Sequence, residues 1–195
     1  MGSLAQARTL GGIGAVLTLL GILPYYAGTA LVIIGWIMIL IAIRYVSEAF
    51  QERSIYSNAT VSVILAIIGS ILAAFVFHGI SAVVSTGPSL TSSDLFAVIG
   101  AIIFGLFALW ILGIVGSYFL WQSFKTLGIK LDMSGEKTRI SPYVAGLFRD
   151  GALIYFIGAI LTIILVGFLM LVIAQILFVI AFFSLPHKSP ATSGV

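Results

Sequence analysis

Residues 151–187 read GALIYFIGAILTIILVGFLMLVIAQILFVIAFFSLPH, with no Asp, Glu, Lys or Arg and no proline before Pro186. As one helix this stretch would be about 55 Å long at a rise of about 1.5 Å per residue. That far exceeds a bilayer hydrocarbon core of about 30 Å. Two helices over about 150–165 and 168–185 meet the length limit if the chain turns near Val166-Gly167. The alternative is one long, tilted helix with its ends in the interfaces. The choice sets the number of spans at six or five.

Three further uncharged runs precede it: Thr9 to Ile43, Ser54 to Ser93 and Leu95 to Phe124. The first is long enough for two helices, and Leu23-Pro24-Tyr25-Tyr26-Ala27-Gly28 at its centre supplies a helix stop, a turn residue and interfacial tyrosines. A hairpin with spans near 9–24 and 28–46 follows. The second run holds a span over 60–80. Ser85-Thr86-Gly87-Pro88-Ser89-Leu90-Thr91-Ser92-Ser93-Asp94 then reads as a loop. Ser92 or Ser93 is expected to cap the next helix, with Asp94 complementing its N-terminal dipole. Span 4 covers about 95–121. Leu10 to Leu23 behind Arg8, with Gly28-Thr29-Ala30 after it, resembles a signal peptide. The second apolar stretch that follows at once fits a membrane anchor better.

Composition agrees with this division. Hydrophobic residues make up 61% of the 195 and charged residues 8%, where a soluble domain carries about 25% charged residues. Such a chain cannot cover itself with a water-facing surface. It has no cysteine, which removes disulfides, thiolate ligands and thiol nucleophiles. The net charge of +3 is spread over short segments between apolar runs, so anionic lipid headgroups, and not nucleic acid, are the expected neighbours of the basic residues.

The placement of the basic residues predicts the topology. Arg8, Arg44 with Arg53, the group from Lys125 through Lys130, Lys137 and Arg139 to Arg149, and Lys188 all fall on one side of a six-span chain. Basic loops stay in the cytoplasm, so both termini are expected there. A five-span chain would leave Lys188 outside. The expected architecture is an all-α, polytopic membrane bundle in a single domain over 1–188, followed by a short polar tail, 189–195.

Chemistry-bearing residues are sparse. No ionisable side chain falls in mid-span, where one would mark an ion path. His78 sits near the outer end of span 3, and a simple interfacial role outweighs a proton relay. Gln175 is the deepest polar side chain and is expected to make an interhelical hydrogen bond. His78 and His187 have no ligand-pair spacing, and five of the six acids lie in charged segments, so no metal site, other cofactor or catalytic residue is expected. The chain does not read as an enzyme.

Small residues are the commoner theme. Gly11, Gly12 and Gly14 line span 1, Gly69 pairs with Ala73, and Ala97, Ala101 and Gly105 recur on span 4 ahead of Gly113. Such spacings let helices approach closely, within the chain or in another subunit. The segment Lys125 to Arg149, with helix breakers Gly128, Gly135 and Pro142, reads as a structured cytoplasmic loop, and Lys125, Lys130, Lys137, Arg139 and Arg149 are its candidate docking residues. Glu48 and Glu52 are spaced to share a helix face running out of span 2. Asn58-Ala59-Thr60 matches a glycosylation acceptor but falls on the cytoplasmic side. Ile13-Gly14-Ala15-Val16-Leu17-Thr18 returns as Ile157-Gly158-Ala159-Ile160-Leu161-Thr162, five matches in six, either a repeat or a coincidence of apolar composition.

Four segments carry a resemblance: Gln6-Ala7-Arg8-Thr9-Leu10-Gly11-Gly12-Ile13-Gly14, Leu23-Pro24-Tyr25, Arg44-Tyr45-Val46-Ser47 and Ala181-Phe182-Phe183-Ser184-Leu185-Pro186. Together they resemble a family of small, mainly archaeal multispan membrane proteins catalogued as a domain of unknown function, number 996. The resemblance implies residence in the cell membrane and no established activity. The function expected from the residues is a non-enzymatic structural or accessory component of a membrane assembly, with a small transporter or channel as the alternative. The expected partners are membrane lipids and other membrane subunits or further copies of the chain.

Overall fold

The computed structural model describes residues 4–21, 26–86, 91–138, 142–164 and 166–186. They form six α-helices: α1 (Leu4–Leu20), α2 (Tyr26–Phe50), α3 (Arg53–Thr86), α4 (Ser92–Thr138), α5 (Pro142–Leu161) and α6 (Val166–Phe183). Each helix packs on its sequence neighbours and α6 returns to α1, so the six close into a ring. No strand occurs among the described residues. Five helices are long and apolar enough to cross a membrane, and α1, with 17 residues, is the short one.

The run 151–187 contains two helices and a break. After Leu161 the chain tightens into a 3-10 turn, Thr162–Ile164, and α6 starts at Val166. Gly167 enables this break through space and not through a left-handed backbone, since no glycine among the described residues has positive φ. A Cβ there would collide with the backbone of Leu161 and Thr162 and with Gly158 O. Glycine therefore lets α6 start directly on the end of α5.

The charged end departs from expectation. Lys125 to Arg149 is not a loop, because α4 runs through Gly128 and Gly135 to Thr138 and α5 begins at Pro142. Glycine inside a helix costs only about 1 kcal/mol, and Leu120, Phe124, Leu127 and Leu131 continue the buried stripe of α4 past its expected end. Gly128 is useful there: a Cβ would stand 3.1 Å from Ala145 O of α5. Pro142 opens α5, a position where its missing N–H costs nothing. The link at 139–141, with Arg139, lies outside the described residues, as do Tyr25, His187 and Lys188.

Three smaller corrections concern helix ends. Helix α3 continues through Ser85 to Thr86, and the cap of α4 is Thr91, not Ser92 or Ser93. Thr91 Oγ1 accepts from the Asp94 N–H at 3.3 Å and donates to the Asp94 carboxylate, so Asp94 serves the helix terminus as expected. At the other end of α3, Glu48 and Glu52 do not share a face, because α2 stops at Phe50. Gln51 takes φ 52°, and the N–H groups of Gln51 and Glu52 donate to Glu48 O and Ser47 O at 3.3 and 3.1 Å. This is a Schellman closure made without glycine.

The core sits at one end of the ring. Its buried members come from the first part of α1, α3 and α5 and the last part of α2, α4 and α6. Phe124, Phe148, Phe178 and Phe182 meet there with ring centroids 5.0 to 6.1 Å apart. At the opposite end, α3 and α4 continue as a two-helix arm. Among the described residues of that arm Val76 and Gly105 are buried, and they face each other, with Val76 Cγ2 2.6 Å from where a Gly105 Cβ would stand.

Candidate functional site

One polar cluster of the described chain surrounds the Gln51-Glu52 turn. Ser47 Oγ donates to Glu52 O at 2.8 Å, and Ser54 Oγ donates to Glu52 Oε1 at 2.8 Å. Lys130 Nζ of α4 pairs with Glu52 Oε2 at 3.0 Å. One turn closer to the core, Ser123 Oγ of α4 donates to Ile55 O at 2.7 Å from a buried position. The turn is thus pinned to α4 at two heights. Hydrogen bonding from Lys130 first, then from Ser54, holds the Glu52 carboxyl below its ordinary value of 4.5.

Three of the five docking candidates are engaged with their own chain. Lys130 holds Glu52, Arg149 Nε lies 3.2 Å from Asp150 Oδ1, and Lys125 Nζ sits 5.1 Å over the Trp121 ring. Lys137 falls within the last residues of α4. Exposed ion pairs of this kind contribute little to stability. They do keep the basic groups in one zone, with Arg44 paired to Glu48 at 3.0 Å on α2. Trp121 stacks on Phe156 at 5.7 Å beside Tyr118, which gives that zone an aromatic border of the kind favoured at a lipid headgroup boundary.

The packing candidates divide. Gly105 receives Val76, whereas a Cβ on Gly69 or Gly113 would meet nothing within 4 Å, and Ala97 and Ala101 are exposed. Close approach occurs elsewhere. A Cβ on Gly14 would stand 2.7 Å from Gly35 O, and one on Gly35 would stand 2.7 Å from Gly14 O, a reciprocal crossing of α1 and α2. Gly11 and Gly12 take the rings of Phe182 and Phe183 from α6. Gly35 carries no sequence signal of its own, since one glycine in an apolar run looks like another. The echoed glycines Gly14 and Gly158 both meet a glycine carbonyl of the following helix, Gly35 O and Gly167 O.

Gln175 makes the expected link between helices. Its Oε1 lies 3.1 Å from Thr18 Oγ1 of α1, and that hydroxyl is also 2.8 Å from Ala15 O. A hydroxyl has one proton. If it goes to the nearer Ala15 carbonyl, the carboxamide, turned by half a revolution, supplies an N–H to Thr18 Oγ1. No buried side-chain N or O among the described residues lacks a hydrogen-bond partner. Among those residues, no three His, Asp or Glu side chains come together as a metal would require.

A bundle of long apolar helices whose described basic residues lie at one end is the class that this geometry defines. The chain belongs to the family described as protein of unknown function (DUF996), whose model matches residues 31–176. It is also similar to an uncharacterised protein of Methanocaldococcus jannaschii, 34% identical over 189 residues, covering 94% of this chain and 93% of the relative. No solved structure matches it.

Proposed function

We propose that this chain is a multi-pass protein of the cell membrane, with both termini in the cytoplasm, acting as a non-enzymatic structural or accessory component of a membrane assembly. The observation that carries the reading is the contrast between the two ends of the ring. One end holds the aromatic core and the basic groups, and the other presents apolar side chains on exposed helices. Lipid is the medium in which such a surface is stable, and the basic zone of Lys125, Lys130 and Arg149 suits anionic headgroups or an acidic partner subunit. The four-phenylalanine cluster fills the interior at the basic end, which favours a packed scaffold over a conduit. A small transporter or channel is the second reading, and the Thr18 to Gln175 contact inside the bundle is the feature that favours it.

Purification from native membranes in mild detergent, followed by mass spectrometry, tests the assignment. Partners at a fixed ratio are expected. A lone protein that carries ion or solute flux in liposomes would sink the scaffold reading. Sidedness has its own test, and the absence of cysteine prepares the chain for it. With single cysteines at Tyr25, Ser92 or Lys137, a membrane-impermeant thiol reagent should label the first two in intact cells and spare the third. Labelling of Lys137→Cys in intact cells would invert the topology.

A further inference from the structure

The three connections at the end away from the basic groups, α1 to α2, α3 to α4 and α5 to α6, differ in chemistry. The first reads Leu23-Pro24-Tyr25-Tyr26 and the second is rich in Ser and Thr up to Asp94, as suits headgroups and water. The third has no polar side chain between Thr162 and Gln175. Ile163, Ile164, Val166, Phe168 and Leu169 around it are all exposed. A turn at a membrane surface has no reason to present five large apolar groups.

Measured from the last charged residue of α5, the height of the third connection falls short of a full crossing. From Asp150, α5 and its 3-10 extension run 14 residues to Ile164, about 21 Å at about 1.5 Å per residue. A hydrocarbon core is about 30 Å thick. The contact with α4 gives an independent measure. Trp110 Nε1 donates to Ile160 O at 3.2 Å, and α4 continues from Trp110 back to Ser92, about 27 Å beyond that level by the same rise. The α5 to α6 turn therefore lies well short of the polar tip of the arm.

Two carbonyls in the last turn of α5 find side-chain donors within the protein. Thr162 Oγ1 donates to Gly158 O at 2.8 Å, the Trp110 indole serves Ile160 O, and Gly167 lets α6 close directly over Leu161 and Thr162. A helix end in water leaves its last carbonyls to solvent, while one in hydrocarbon must find protein donors.

We infer that the α5 to α6 turn lies inside the bilayer, with Ile163, Ile164, Val166, Phe168 and Leu169 against acyl chains of the leaflet beyond it. The same chains cover Ile99, Ile103 and Leu106 on the face of α4 left bare above the turn. The inference rests on the membrane reading above and adds a depth to it. It leaves the sidedness of both termini unchanged, because a hairpin that turns inside the membrane returns to the side it came from.

Depth is read by single-cysteine spin labels in phosphatidylcholine vesicles, using collision with oxygen, which favours hydrocarbon, and with a nickel chelate present on both sides, which stays in water. Gly167 is unsuitable, since any side chain there collides with α5, so the label goes at Ile164→Cys, with Phe75→Cys on the arm and Ser93→Cys at its tip for comparison. Oxygen should dominate at Ile164 and Phe75 and nickel at Ser93, with alkylation of Ile164→Cys by a water-soluble maleimide about tenfold or more slower than that of Ser93→Cys. Nickel dominance at Ile164 with oxygen dominance at Phe75 would overturn the buried turn and leave the membrane reading standing. Nickel dominance at all three sites would overturn both.

Discussion

The α3 to α4 hairpin has two halves that use the same helical faces in opposite ways. Leu106 lies 18 residues before Phe124 on α4, five turns at about 3.6 residues per turn, and so shares its face. Phe124 is 1% exposed and Leu106 is 46% exposed. On α3, Ala59 is fully buried and Phe77, again 18 residues away on the same face, is 63% exposed. The side chains in the bare half are no less apolar than those in the clasped half. What changes is whether α1, α2, α5 and α6 are alongside, which shows that burial in this protein is set by the length of neighbouring helices and not by hydropathy.

The sharpest way to break that comparison is a pair of truncations on one face. Phe124→Ala should cost about 3–5 kcal/mol, as for a large ring removed from a packed core, and Leu106→Ala in detergent should cost well under about 1 kcal/mol. Thermal unfolding in detergent followed by circular dichroism reads both. Equal losses would mean that the arm is packed against something as fully as the base is.

Glycines offer the reverse experiment. Gly14→Ala and Gly35→Ala place a methyl against a facing carbonyl and should each cost about 1–3 kcal/mol. Gly113→Ala, where a Cβ meets nothing within 4 Å, should be neutral or should stabilise α4 by up to about 1 kcal/mol through helix propensity. The same melting measurement applies, and a loss at Gly113→Ala would reveal an occupant of the bare half.

A gentler change sharpens the account of the basic end. Gln51→Gly should stabilise the protein by about 1 kcal/mol, because glycine carries no Cβ penalty in the left-handed conformation that closes α2. A lowered melting temperature would show that the Gln51 side chain holds a contact worth more than the strain.

The smallest effect expected is that of pH on Glu52. Its folded carboxyl is held below the ordinary 4.5, so its ion pair and hydrogen bonds stabilise fully above that value and are lost as pH falls through the lower folded pKa. The difference in melting temperature between the parent and Glu52→Gln should therefore be constant at neutral pH and shrink to nothing in strong acid. A difference that persisted in strong acid would assign the effect to shape instead of charge.

Much of the fold is legible in the residues. Run length leaves two readings of 151–187, a break near Gly167 or one long tilted helix, and the structure takes the break. The extension of α4 was concealed by Gly128 and Gly135, although Leu120, Phe124, Leu127 and Leu131 keep helical spacing through them and mark it. The closure at Gln51 had no marker at all, because the residue types that usually announce a left-handed cap are absent. The Glu52 to Lys130 pair joins residues distant in sequence, and no local pattern links them.

Composition and run length determined that this is an all-α chain of long apolar helices, and the positions of charge favoured six of them over five, because these depend on local hydropathy and the fixed rise of a helix. Tertiary structure alone decided which glycines matter. Gly14 and Gly35 are spared a side chain because two backbones cross there, while Gly69 and Gly113 face open space. It also decided that the α5 to α6 turn stops level with the middle of α4. Contact and depth are relations between segments, and the residues of one segment do not carry them.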